Sequence, residues 1–132
     1  LQVDDSGGTL RNISNDVRSI SVRTPRGMQE ITGIDKSGIE RLLLRSDGHI
    51  ELRGVFNPTA NMSHDVFKTV PSTAVVRTVT WDPTGTATGD PRLSMEMLFS
   101  DYTVEAGEDG SLVWTAVGDL ADGTAPSWTT VP

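Results

Sequence analysis

Two stretches of this chain alternate apolar and polar side chains residue by residue, and that period sets what the chain can fold into. In His49–Phe56, Ile50, Leu52 and Phe56 point one way, and His49, Glu51 and Arg53 point the other. In Leu93–Phe99, Leu93, Met95, Met97 and Phe99 share a face, with Ser94 and Glu96 opposite. Neighbouring side chains of a strand face opposite ways, so a period of two marks half-buried antiparallel strands. Leu98 breaks the polar side of the second strand and marks that side for contact with a partner.

Three further segments read as strands through their β-branched density: Asp16–Arg23 extending toward Ile34, Ala74–Trp81 and Ser111–Val117. Asp47-Gly48 and Asp109-Gly110 stand where strands must reverse, and Asp-Gly is a strong hairpin signal. The first is expected to join an Ile39–Arg45 run to His49–Phe56, and the second to join a long Leu93–Glu105 strand to Ser111–Val117. Thirteen Gly and seven Pro suit strands joined by tight turns.

One phrase, SHDVFKTV at Ser63–Val70, speaks for a helix. Ser63 is expected to cap it, Asp65 suits its positive end, and Val66, Phe67 and Val70 form an apolar stripe. Pro71 stops it. About two turns cannot stand alone, so this helix must lie on a sheet or close an open end of one. The expected fold is therefore mainly β: a single antiparallel β-sandwich domain over residues 1–132, with one short flanking helix.

The stretch GIDKSGIERLLLRSDG (Gly33–Gly48) reads as an extended loop. It mixes charges of both signs with Leu42-Leu43-Leu44, a run that is a liability in a monomer and an interface in an oligomer. Its inter-subunit candidates are Asp35, Lys36, Glu40, Arg41, Leu42, Leu43, Leu44 and Arg45. Residues 118–132, rich in Thr, Pro and Gly, read as an extended tail.

Chemistry finds little to work with. There is no cysteine, which removes disulfides, thiolate catalysis and thiolate zinc sites. His49 and His64 are the only histidines, and His64 beside Asp65 is no dyad, because adjacent helix residues diverge. Asn12-Ile13-Ser14 and Asn61-Met62-Ser63 match a glycosylation pattern too frequent to carry weight. Ser6-Gly7-Gly8 and Thr84–Gly89 lack the lysine and the strand-to-helix setting of a phosphate loop. Asp4-Asp5 and Glu108-Asp109 lack calcium-loop spacing. No enzyme and no cofactor are expected. No apolar run approaches the ~18 residues of a membrane span and no signal peptide opens the sequence, so no membrane insertion is expected. Because it opens at Leu1 rather than Met, an initiator methionine and a short leader are expected upstream.

Charge is unevenly placed. Residues 1–60 hold eight acids and eight bases, whereas residues 61–132 hold ten acids against Lys68, Arg77 and Arg92, which gives the whole net charge of −7. From Asp101 onward there are six acids and no base. Such a surface serves solubility, or it must avoid sticking to a polyanion.

The order of parts, from DDSGGTLRNISNDVRSI (Asp4–Ile20) through GHIELRGVFN, SHDVFKTV, VTWDPTGTATGD and the final hairpin, resembles the major tail tube proteins of actinobacterial siphoviruses. The resemblance spans most of the chain, although Leu42–Ser46 departs from the glycine-and-proline phrase usual there. It implies a sandwich whose helix covers the outer side and whose inner sheets join those of neighbours into an oligomeric barrel. Stacked hexameric rings would then form a channel through which double-stranded DNA transits without specific binding. Tape measure, tail tip and terminator proteins would be further partners, in the virion and in the host cytoplasm during assembly. The channel-facing candidates are Glu51, Arg53, Glu96 and Thr115, opposite the apolar faces, and Arg53 is expected to be neutralised by Glu51 or Glu96. The competing reading is a non-catalytic β-sandwich module that grips a carbohydrate or a protein partner. Trp81, Trp114 and Trp128 could supply its aromatic platform, although Trp81 and Trp114 fit core positions better.

Overall fold

A computed structural model describes residues 1–132 and contains ten strands and one α-helix. The strands are β1 (Gln2–Asp4), β2 (Leu10–Asn12), β3 (Val17–Arg23), β4 (Arg26–Glu30), β5 (Arg41–Ser46), β6 (His49–Val55), β7 (Arg77–Trp81), β8 (Pro91–Ala106), β9 (Leu112–Leu120) and β10 (Ser127–Thr130). The helix α1 spans Ser63–Phe67, between β6 and β7. The main sheet is antiparallel in the order β2-β1-β7-β8-β9-β6-β3, and β4 and β5 form a separate two-stranded ribbon.

The alternation read from the sequence is what the main sheet uses. Ile50, Leu52, Leu93, Met95, Met97 and Phe99 are buried, while Glu51, Arg53 and Leu98 are exposed and Ser94 and Glu96 are half-buried. β8 is long enough to serve both halves of the sheet. Leu93–Met97 pair with β7, Met97–Ala106 pair with β9, and β10 pairs with Pro91–Ser94. A bulge between Phe99 and Asp101 shifts the parity of β8 by one residue. Without it, Asp101 would follow Phe99 inward. With it, Tyr102 turns inward opposite Ala116, and Asp101 turns outward opposite Val117. Inner side chains of both halves gather in one cluster with α1, the arrangement of a β-sandwich closed by a helix.

The short flanking helix is present, and its apolar side chains Val66 and Phe67 are fully buried in the core while Lys68 is exposed on its other side. The Phe67 ring stands 5.0 Å from that of Phe99 and 5.4 Å from that of Trp114. Ser63, however, does not cap the helix with its hydroxyl. Met62 holds the cap position, and the Ser63 Oγ is buried without a partner. The Ser63 N–H instead donates to Asp16 Oδ2 at 2.9 Å, so a carboxylate from a 3-10 turn at Ser14–Asp16 does the capping. Asn57 Nδ2 donates to the other oxygen of Asp16 at 2.9 Å.

Two strand expectations need correcting. The strand read as running from Asp16 toward Ile34 breaks at Thr24-Pro25 into β3 and β4, because proline has no N–H for the ladder. Asp47-Gly48 joins β5 to β6, yet those strands do not pair. Both edges of β6 are taken by β3 and β9, so β5 pairs back on β4 and Asp47-Gly48 serves as a corner. The loop read over 33–48 therefore contains a strand, β5, over Arg41–Ser46. Residues 118–132 finish β9 and supply β10 instead of trailing away.

Candidate assembly surface

The β4–β5 ribbon projects as an arm. Its base is held where the Asp47 N–H donates to Pro25 O at 2.9 Å, and its far end is a loop in which Ile31 N–H reaches Glu40 O at 3.0 Å. Glu40 N–H donates to Thr32 Oγ1 at 2.8 Å, and Lys36 Nζ lies 3.7 Å from Glu40. Neither arm strand pairs with the main sheet, and every residue of both is exposed except the half-buried Ser46. Of fourteen large hydrophobic residues exposed on the chain, seven lie here: Met28, Ile31, Ile34, Ile39, Leu42, Leu43 and Leu44. The largest surface depression, about 790 Å³, is also here, lined by Arg26, Gly27, Leu43, Leu44, Arg45 and Asp47. The inter-subunit candidates Asp35, Lys36, Glu40, Arg41, Leu42, Leu43, Leu44 and Arg45 thus all fall on one projecting element.

Pairing sorts the arm into two faces. Arg41 stands opposite Glu30 and Leu43 opposite Met28, whereas Leu42 stands opposite Gln29. Side chains alternate along a strand, so Arg41 and Leu43 share one face with Glu30 and Met28, and Leu42 lies on the other with Gln29; a bulge between Leu43 and Ser46 then takes Arg45 out of this alternation. Both faces carry exposed aliphatic side chains. A two-stranded ribbon of this kind is marginal in water and needs something to bury it.

A second surface is the outer face of the main sheet. Its cross-strand rows run Arg23–His49–Asp119–Leu98, Ser21–Glu51–Val117–Asp101 and Ser19–Arg53–Thr115–Thr103. Glu96, opposite Thr78 and two residues before Leu98, belongs to the same face. All four channel-facing candidates therefore lie on one side of one sheet. His49 Nδ1 lies 2.8 Å from Asp119 Oδ1, and Glu96 accepts a hydrogen bond from Thr78 Oγ1 at 2.9 Å. The expected neutralisation of Arg53 is absent. Its direct neighbours are Ser19 and Thr115, and no carboxylate lies within ion-pair distance.

Elsewhere polar groups serve the fold. His64 Nδ1 meets the Tyr102 hydroxyl at 3.0 Å and its ring lies against Phe56, while Asp65 holds the Asn61 N–H and Lys68. Burial pushes the Tyr102 hydroxyl up to about 12. Trp114 is fully buried, its Nε1 donating to Val55 O at 3.0 Å. Trp81 is half-buried against the core, and Trp128 is 56% exposed with its ring 6.4 Å from that of Trp81.

Sequence reasoning missed two buried charges, Asp16 and Arg77. Arg77 is fully enclosed and ties α1 to β1, with Nη1 donating to Asp4 O at 2.8 Å and Val66 O at 3.0 Å, and Nη2 to Thr69 Oγ1 at 3.0 Å. Its guanidinium thereby satisfies the Val66 carbonyl near the end of α1, one of those left without a partner within the helix. The one signal was parity, since Arg77 sits two residues before Val79 and four before Trp81 on the inner face.

This architecture occurs in the tails of gene transfer agent particles. A chain from the tail of an empty gene transfer agent particle, determined by helical refinement with C6 symmetry, superposes with a TM-score of 0.68 at 15% identity. The match covers 98% of this chain and 95% of that one. A chain from the virion of the native gene transfer agent particle matches with a TM-score of 0.67 at 14% identity, over the same shares. At such identities the likeness is one of fold. No protein-family model matches the sequence. No curated protein sequence matches it either.

Proposed function

We propose that this chain is a structural subunit of a phage tail, a major tail tube protein of the kind found in actinobacterial siphoviruses. Copies close into hexameric rings, the rings stack, and the tube conducts double-stranded DNA into the host cell. The observation that carries this reading is the end-to-end correspondence, over 98% of this chain and 95% of the other, with a chain from a tail of C6 symmetry. The arm supports it, because half of the chain's large exposed apolar side chains stand on an element that nothing in the subunit covers. So do the terminal strands β2 and β3, which each leave one edge open for a neighbour's ladder.

On this reading the subunit is a building block rather than an enzyme. Its partners are further copies of itself, the tape measure, tail tip and terminator proteins, and the DNA in transit. Its place is the virion, after assembly in the host cytoplasm. The outer face with Glu51, Arg53, Glu96 and Thr115 lines the channel. DNA carries about one charge per 1.7 Å, and every phosphate held by a lysine or arginine adds salt-sensitive affinity. A wall that is acidic in balance keeps DNA moving, with repulsion acting over about 8 Å at physiological salt.

Negative-stain microscopy of concentrated protein, with and without a tail-tip complex, tests the reading. Tubes or stacked rings are the expected result. A chain that remains monomeric even with its seed present would refute it.

A further inference from the structure

The half of the sheet that carries the outer-face rows ends in two open edges. One is β3, which pairs only with β6. The other is the second half of β8. Met97 pairs with both β7 and β9, so those two strands lie on opposite sides of β8. The β7 ladder stops at Met97, whereas β9 continues to Ala106. Along Leu98–Ala106 the β7 side of β8 is therefore left without a partner strand, a template for pairing with another chain.

The two edges carry unlike charge. β3 holds Arg18 and Arg23 and no acid, and Leu98–Ala106 holds Asp101 and Glu105 and no base. Arg23, Asp101 and Glu105 are exposed on the outer face, and none has an ion-pair partner. Three antiparallel steps separate β3 from β8, so the two edges run in opposite directions. A second copy turned about an axis along the strands offers its β8 to β3 in the antiparallel sense. Edge against like edge would bring like charges together, which destabilises a cross-strand pair.

We infer that β3 of one copy pairs with the second half of β8 of the next, with Arg23 opposite Asp101, Ser21 opposite Thr103 and Ser19 opposite Glu105. This rests on the tail reading and assigns, within it, the two edges that meet and their register. The same register sets Ile20 beside Val104 and Val22 beside Tyr102 on the inner face, where Val104 is 41% exposed in the single subunit. A slip of one residue either way would set Ile20 and Val22 against polar members of β8. Arg53 gains most. It has no carboxylate in its own subunit and stands next to Ser19. Two strand spacings, about 10 Å, separate it from the incoming Glu105, and an arginine and a glutamate meet across that span over a serine. A contact between unlike edges repeats from copy to copy and closes where the rotation permits a ring.

The chain has no cysteine, which makes trapping clean. A Ser21→Cys/Thr103→Cys chain, assembled with a tail-tip complex and treated with a mild chemical oxidant, is expected to give a ladder of multimers on a non-reducing gel, whereas either single variant stays monomeric. Charge reversal tests the register independently. Arg23→Glu and Asp101→Arg should each raise the critical concentration for assembly at low salt about tenfold, and combining them should restore it. Tubes that form without a ladder, or reversals that do nothing or do not cancel, overturn this pairing and leave the tail reading standing. A dimer trapped by Ser21→Cys alone would place β3 against β3, and one trapped by Thr103→Cys alone would place β8 against β8; either overturns it too. Failure of every chain, wild type included, to assemble would overturn both.

Discussion

Gly54 is the position at which one added methyl should do the most damage. A Cβ built there would stand 1.8 Å from the Asp16 carbonyl oxygen and 2.8 Å from its carbon, with Trp114 Nε1 at 3.0 Å. The obstacle is backbone, so no rotamer change relieves it. Restoring ordinary contact at 3.4 Å requires Asp16 and Gly54 to part by about 1.6 Å. Asp16 cannot move alone, because its carboxylate holds Asn57 Nδ2 and the Ser63 N–H, each at 2.9 Å, and so fixes the start of α1. Overpacking of a filled core costs about 1–3 kcal/mol. Loosening a hydrogen bond to a charged group costs about 1.5–3 kcal/mol. Gly54→Ala should therefore lose about 3–5 kcal/mol, a large part of the ~5–15 kcal/mol that holds a typical domain together. Urea unfolding followed by circular dichroism measures this directly. Gly38→Ala is the control, since a Cβ there meets nothing within 4 Å, and it should fall within about 0.5 kcal/mol of wild type. A Gly54→Ala protein within about 1 kcal/mol of wild type would show that the Asp16–Gly54 approach is not rigid, and the argument for the Asp16 hub would fall with it.

The remaining predictions concern acid, assembly and the channel. Burial pushes the Asp16 carboxyl up, but the hydrogen bonds from Asn57 and Ser63 outweigh it and hold it below the usual carboxylate range. Its folded value is thus depressed, so its stabilisation is present above about pH 4, the unfolded value, and is lost as pH falls through the folded one. Asp16→Asn should accordingly be less stable near neutrality and lose less on acidification; parallel curves of urea midpoint against pH would contradict this. Leu43→Asp should abolish assembly and leave the circular dichroism spectrum unchanged, and hydrogen exchange over residues 26–46 should be fast in the free subunit and slow in the tube. Equal protection in both states would exclude the arm as the joint. Glu51→Lys/Glu96→Lys particles should keep their tubes but eject DNA more slowly, with a delay that shrinks as salt rises. An unchanged, salt-independent rate would mean that this face does not meet DNA. Light scattering of the purified subunit should show a lag that a tail-tip seed removes, and assembly without any lag would argue against nucleation.

What was legible in the sequence followed from local period, and what was not depended on distant partners. The faces of β6 and the first half of β8 could be read because each strand has one buried side, so parity alone orders Ile50, Leu52, Leu93, Met95, Met97 and Phe99. The same parity placed Glu51, Arg53, Glu96 and Thr115 on one surface. It could not say who stands beside Arg53, because cross-strand neighbours depend on register between strands far apart in sequence. The bulge at Phe99–Asp101 leaves no local mark, and neither does the choice of β5 to pair with β4 instead of β6. Asp47-Gly48 has a hairpin's sequence, but the edges of β6 were already occupied. Asp16 and Arg77 escaped for a related reason. A buried charge is tolerable only when its partners are in place, and those partners, on α1, β1 and the Asn57 loop, are brought there by the fold.

The arm gives the proposed assembly a reason to wait. Nothing in the subunit buries Leu42, Leu43 and Leu44, so the ribbon gains little from being ordered in the free chain, and ordering each residue costs about 1–2 kcal/mol of backbone freedom. That cost falls due when a neighbour arrives, as it does for any segment that folds on binding. The first contact must meet it from one interface while two subunits of net charge −7 repel each other. A subunit joining an existing ring meets several neighbours at once and recovers the same cost from more surface. Exposed leucines and an acidic body are thus compatible in one chain: on the proposed assembly the charge keeps pairs apart, and the arm rewards addition to a structure already begun.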